Sequence, residues 1–184
     1  MTKIILINGY AEHGKTSVAL EIKRQLDEEN YKVVKVSFAD YLKFIAKTYF
    51  DWDGQKNDYG RSLLQYLGTD VVRKINPEFW AMAGWNFVTT FGQLFDYIIF
   101  DDCRFPNEIS IFKNSGFSSL SIRVSRLNED GSQFENSLSP EQRLHPSETA
   151  LSFYASDIFL SIQTGKDNVR EEVESFLGII KLFK

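Results

Sequence analysis

The segment Gly9-Tyr10-Ala11-Glu12-His13-Gly14-Lys15-Thr16 constrains this chain more than any other part of it. It follows an apolar run at 3–8 (KIILIN) that reads as a buried strand. It precedes a helical stretch from Lys15 to about Glu29, with Val18, Ala19, Ile22 and Leu26 on one face. The spacing G-x-x-x-x-G-K-[ST] between a strand and a helix is built to hold phosphate. Gly9 and Gly14 permit backbone angles that other residues resist. The turn then aims successive N–H groups inward, and the positive end of the following helix adds to their field. Lys15 can reach the β- and γ-phosphates, and the Thr16 hydroxyl can ligate Mg²⁺. Four such fixed positions coincide by chance in roughly one chain in a hundred. The expected nucleoside-triphosphate contacts are therefore Gly9, Tyr10, Ala11, Glu12, His13, Gly14, Lys15, Thr16 and Ser17. Within that set the Glu12 carboxylate is expected to turn away from phosphate, and His13 to be solvated.

The rest of the chain supports one α/β domain over residues 1–184. Strands are expected at 32–38, 96–101, 118–124 and 156–163, with helices between them. Among these are Tyr41–Phe50, Arg61–Lys74, a helix opened by Asn76-Pro77, Pro106–Asn114 and Asn168–Lys181. Such alternation implies a mainly parallel five-stranded sheet covered on both faces, a three-layer P-loop NTPase sandwich. Residues 125–148 are rich in Asn, Asp, Gly, Ser and Pro and read as a lid-like excursion.

Composition narrows the partners. The net charge of −4 argues against binding polymeric nucleic acid, which favours a basic surface. A single Cys excludes an internal disulfide and makes a reducing cytoplasm the expected location. Met1 leads straight into a strand, and no apolar run has membrane-spanning length, so neither leader nor membrane contact is expected. One Cys with two His disfavours a zinc site.

Two further constellations bear on chemistry. Tyr97-Ile-Ile-Phe100 runs into Asp101-Asp102, and a strand-end acid beside a phosphate loop holds Mg²⁺ near the Thr16 hydroxyl. Alternation along a strand turns only one of the two acids to the site, and spacing does not choose between them. In the second, Arg61, Gln65 and Thr69 recur every four residues and share a helix face, with Leu64, Leu67 and Val71 facing the core. That face offers a guanidinium suited to phosphate and an amide suited to a base edge, or is simply solvated.

The segment R-x-L-L-Q-x-x-G-T-D at 61–70, the N-P-E-F-W at 76–80 and Asp102-Cys-Arg104-Phe-Pro-Asn107-Glu108 together resemble the deoxynucleoside monophosphate kinases of phages and bacteria. His145-Pro-Ser-Glu148 is similar to that family's lid-end segment, and the likeness spans roughly residues 3–165. The resemblance implies phosphoryl transfer from ATP, with Mg²⁺, to a nucleoside monophosphate. It implies that Arg61, Gln65 and Asp70 contact the acceptor, with Thr69 beside them. It makes Asp102 the metal-supporting acid, sets Arg104 on a phosphate, and places Asp40 and Lys43 at the start of the acceptor site. Trp80 is either a wall of the base site or core. A homodimer comes with the resemblance only as analogy. Glu12 and His13 depart from the small residues many relatives carry in the loop.

Phosphoryl transfer also needs cations around the moving group. Lys15 and Arg104 are expected to act there, with one of Arg123, Arg126 and Arg143 from the lid, Arg126 being preferred. The competing readings are a kinase of another small metabolite, with Asp40 as base for a hydroxyl, and a regulatory nucleotide-binding module without an acceptor.

Overall fold

A computed structural model describes residues 2–164 and 169–183. Five strands form one all-parallel sheet in the order β2-β3-β1-β4-β5. They are β1 (Lys3–Asn8), β2 (Val33–Val36), β3 (Tyr97–Cys103), β4 (Ser118–Leu127) and β5 (Ile158–Gln163). The apolar run of β1 is central, so both its faces are buried. Ile5 and Ile7 point to one layer, with α1 (Lys15–Glu28) and α8 (Val169–Leu182) packed over them. Ile4 and Leu6 point to the other, where Phe38, Phe100, Ile109 and Phe112 close the core. Phenylalanines supply much of this layer: Phe38 stacks on Phe100 with ring centroids 4.4 Å apart.

A third, smaller cluster of Leu42, Ala46, Trp52, Leu67 and Trp80 lies beside the sheet. It is built by α2 (Asp40–Tyr49), α3 (Asp58–Gln65) and α4 (Phe79–Phe91). From Tyr66 to Arg73 the chain leaves the α-helical repeat for a π-helix. Its wider turn changes which residues face inward, so Val72, not the expected Val71, packs on the cluster.

Several boundaries differ from expectation. Strand β2 is shorter than 32–38, and α3 begins three residues before Arg61, with Asn57 as cap accepting the Gly60 N–H. Asn76-Pro77 does not open a helix directly. The Asn76 side chain instead accepts the Glu78 N–H in a turn, and α4 starts at Phe79. The excursion is shorter at its start, because β4 pairs with β5 through Leu127. It carries α6 (Pro140–Leu144) and α7 (Pro146–Thr149). Helix α5 (Pro106–Lys113) lies between β3 and β4. The expected helix start at Asn168 lies outside the described residues. No helix among them is long and apolar enough to cross a membrane.

Candidate active site

A cavity of about 550 Å³ opens at the carboxyl ends of the strands, where open α/β sheets place ligands. The phosphate loop forms one wall. Gly9 sits at φ 140°, and a Cβ there would lie 2.3 Å from the Val124 carbonyl oxygen, so no side chain fits. Gly14 caps α1 at φ 85°. Lys15 is buried, and its Nζ donates to the carbonyls of Gly9 (2.9 Å) and Tyr10 (2.6 Å). Burial, with the Arg104 charge nearby, holds its pKa well below the ordinary lysine value.

Of the loop residues, Ala11, Glu12, Gly14, Lys15, Thr16 and Ser17 line this cavity, while Gly9 and Tyr10 line a small pocket behind the loop. His13 corrects the sequence expectation, because it is buried, not solvated. Its ring meets Tyr10 and Phe134 edge-on, and Nδ1 accepts the Arg126 backbone N–H at 3.1 Å. Burial and the charges of Lys15, Arg123 and Arg126 push its pKa down to about 4, so the ring is neutral at pH 7. Glu12 does turn from the nest. It is ion-paired with Arg61 and accepts both the N–H and the hydroxyl of Ser137. Burial raises its pKa, but these bonds outweigh it and leave a net lowering.

The acid beside Thr16 is Asp101, where the resemblance implied Asp102. Thr16 Oγ1 donates to Asp101 Oδ2 at 2.9 Å, Ser37 Oγ to Oδ1 at 2.6 Å, and Lys35 Nζ lies 3.2 Å away. Burial pushes the Asp101 carboxyl up, yet these donors outweigh it and keep the group below the usual range. Asp102, the next residue, also lines the cavity, but its carboxylate is taken up by the main chain. It accepts the N–H groups of Phe38 (2.8 Å) and Ala39 (3.1 Å) and so anchors the chain entering α2. Burial and the neighbouring Asp101 charge raise its pKa.

Across the cavity, Arg61, Gln65 and Thr69 do share a wall, together with Lys43, Leu42, Leu64 and Trp80. Trp80 is both wall and core: it is 4% exposed, and its indole donates to the Gly68 carbonyl at 2.9 Å. Asp70 is not in that wall: it lies beside the excursion, where its Oδ1 is 3.5 Å from His145 Nε2. Asp40 is also drawn away, accepting the Ser37 N–H and pairing with Lys43. Gln65 donates to the Gln142 carbonyl at 3.4 Å, and Gln142 donates to Ser62. The excursion is thus docked on α3.

Arg104 enters from the end of β3, and Arg126 from β4. Arg126 Nε donates to Thr164, and its guanidinium lies over the Phe134 ring. Arg123 is tied to the Leu151 carbonyl and Arg143 to Glu135 and Leu138, so of the three candidates Arg126 is the one at the cavity. Three lining residues had no sequence signal of their own. Ser37 follows a strand, Lys56 lies in a polar loop, and Arg73 read as one more charge on a helix. Arg73 is ion-paired with Glu108 in a buried site, its guanidinium 3.8 Å from the Phe105 ring centroid. Burial pushes Glu108 up to about 7 despite that partner.

The sequence matches no protein-family model and no curated protein. Among solved structures, a sugar kinase from Janibacter sp. HTCC2649 is similar with a TM-score of 0.55 at 15% identity, covering 99% of this chain and 96% of that one. A variant of the APS kinase CysC of Mycobacterium tuberculosis gives 0.50 at 9% identity, covering 98% and 97%. At such identities the likeness is one of fold: a P-loop kinase-like α/β architecture.

Proposed function

We propose that this chain is an ATP-dependent kinase whose acceptor is a nucleoside monophosphate, with a deoxynucleotide the form implied by the sequence resemblance. One observation carries the reading: a second set of cations shares a single cavity with the phosphate loop. Lys43, Lys56, Arg61 and Arg104 line it together with Lys15 and Thr16, and Leu42, Leu64 and Trp80 add apolar surface. A slow nucleotide switch has no use for such a wall. An acceptor with a charged phosphate and a flat base matches it.

In this reading Lys15 and the loop amides take the donor phosphates. Thr16 and Asp101 suit a hard cation, because hydroxyl and carboxylate oxygens meet at the cavity with Ser37 beside them. They would hold Mg²⁺, which when bound neutralises phosphate charge. Arg61, Lys43 and Lys56 take the acceptor phosphate, and Gln65 and Trp80 meet the base. An acceptor phosphate oxygen attacks the γ-phosphorus as the bond to the ADP oxygen breaks. Arg104 and Arg126 offset the charge in transit. The acceptor oxygen is already anionic, so no general base is required. Asp40, the base a hydroxyl acceptor would need, is committed to Ser37 and Lys43, which disfavours the sugar-kinase alternative. The test is a panel of ribo- and deoxynucleoside monophosphates with ATP and Mg²⁺, read by diphosphate formation.

A further inference from the structure

Glu148 is the carboxylate that the phosphate-transfer scheme leaves without a task, and it sits between two of that scheme's parts. Its side chain is only 7% exposed. One oxygen accepts the Ala11 N–H of the phosphate loop at 3.0 Å, and the other pairs with Arg104 Nη1 at 2.7 Å. With both oxygens committed, the carboxylate plane is set. The segment bearing it is held by two more bonds, one to the loop and one to β4: Tyr10 Oη to Ser152 Oγ at 3.1 Å, and Arg123 Nη1 to the Leu151 carbonyl at 2.6 Å. At its other end Arg104 gives its own backbone N–H to Glu108 at 2.6 Å. Among the described residues no acceptor takes Arg104 Nε or Nη2, and the residue lines the cavity.

We infer that Glu148 is a positioning residue: it fixes the Arg104 guanidinium in register with the phosphate loop, so that the free edge of Arg104 faces the phosphoryl group. This rests on the kinase reading. A salt bridge fixed at both ends costs no reorganisation when substrate arrives, which is how a pre-set cation gains its effect. Arg104 touches phosphate, and Glu148 acts only through it.

A double-mutant cycle tests this. Glu148→Gln keeps shape and folding but loses the charge, and should lower kcat about 10-fold with the ATP KM nearly unchanged. Glu148→Asp should recover part of that loss. In an Arg104→Ala background, Glu148→Gln should change kcat less than about 2-fold. Equal kcat losses in both backgrounds would overturn the inference, because they would mean that Glu148 acts without Arg104. A second readout needs no turnover. The Arg104 Nε–Hε NMR signal should report an ordered side chain in the wild type and a mobile one in Glu148→Gln. An Arg104 equally ordered in both proteins would refute the positioning role. Absence of wild-type turnover would refute the kinase reading and leave this second measurement to decide on Glu148.

Discussion

Glu12, inside the phosphate loop, is ion-paired to Arg61 on the helix that faces the loop across the cavity, at 2.5 Å. The same carboxylate accepts Ser137 of the excursion through both its N–H (2.8 Å) and its hydroxyl (2.6 Å). Three segments far apart in sequence therefore meet on one side chain. Glu12 takes a left-handed backbone (φ 65°) to reach them. A carboxylate that looked out of place in a phosphate loop is the tie between that loop, α3 and the excursion.

Arg61→Ala should thus raise the acceptor KM about 10- to 100-fold, the range expected for one charge-assisted hydrogen bond, with the ATP KM within about 3-fold. Glu12→Gln should raise the acceptor KM by a smaller factor. Steady-state kinetics with each substrate varied in turn would check both. A rise confined to ATP would contradict the assignment of Arg61.

The two adjacent acids should separate cleanly. Asp101→Asn should cut kcat at least about 100-fold and raise the Mg²⁺ concentration needed for activity, because it alters the group bonded to Thr16. Asp102→Asn should weaken the entry into α2 and lower the melting temperature more than the Mg²⁺ dependence. Reversed outcomes would assign the metal role to Asp102.

Breaking the buried Arg73–Glu108 pair should be costly. Arg73→Ala removes the cation that lowers Glu108, so the buried carboxyl takes up a proton, and losing the pair should destabilise the fold by about 1–3 kcal/mol. Chemical denaturation measures this directly. A loss below about 1 kcal/mol would mean that the pair contributes little beyond its geometry.

His13 should make stability depend on pH. Its folded pKa of about 4 lies below the ordinary 6.5, so the unfolded chain binds the extra proton first. The stabilisation is complete above pH 6.5 and is lost as pH falls toward 4, on the order of 3 kcal/mol in all. Protonation of Nδ1 would also remove the acceptor for the Arg126 N–H. His13→Asn, whose amide oxygen can take that N–H at any pH, should flatten the melting-temperature profile across this window. An equally steep profile in the variant would place the effect elsewhere.

What was legible in the sequence was local. The phosphate loop announces itself because fixed backbone angles demand Gly9 and Gly14, and the parallel sheet follows from strands alternating with helices. The wall of Arg61, Gln65 and Thr69 could be read from a four-residue period. Val71, expected inward on the same helical period, gives way to Val72, because the chain passes into a π-helix after Gln65 and no residue type there signals the wider turn. Which of Asp101 and Asp102 bonds to Thr16 was hidden because it depends on where Phe38 and Ala39 present their N–H groups, more than sixty residues away in sequence. Lys56, Arg73 and the roles of Glu12, His13 and Glu148 were invisible for the same reason. Each depends on a partner that only the fold brings near.

The central claim is phosphoryl transfer to a nucleoside monophosphate, and it is tested most directly by mixing the wild-type protein with ATP, Mg²⁺ and each ribo- and deoxynucleoside monophosphate in turn. At least one should be converted to its diphosphate, with one ADP formed per diphosphate, and Lys15→Ala should lose this activity. No diphosphate from any acceptor, or turnover that survives Lys15→Ala, would contradict it.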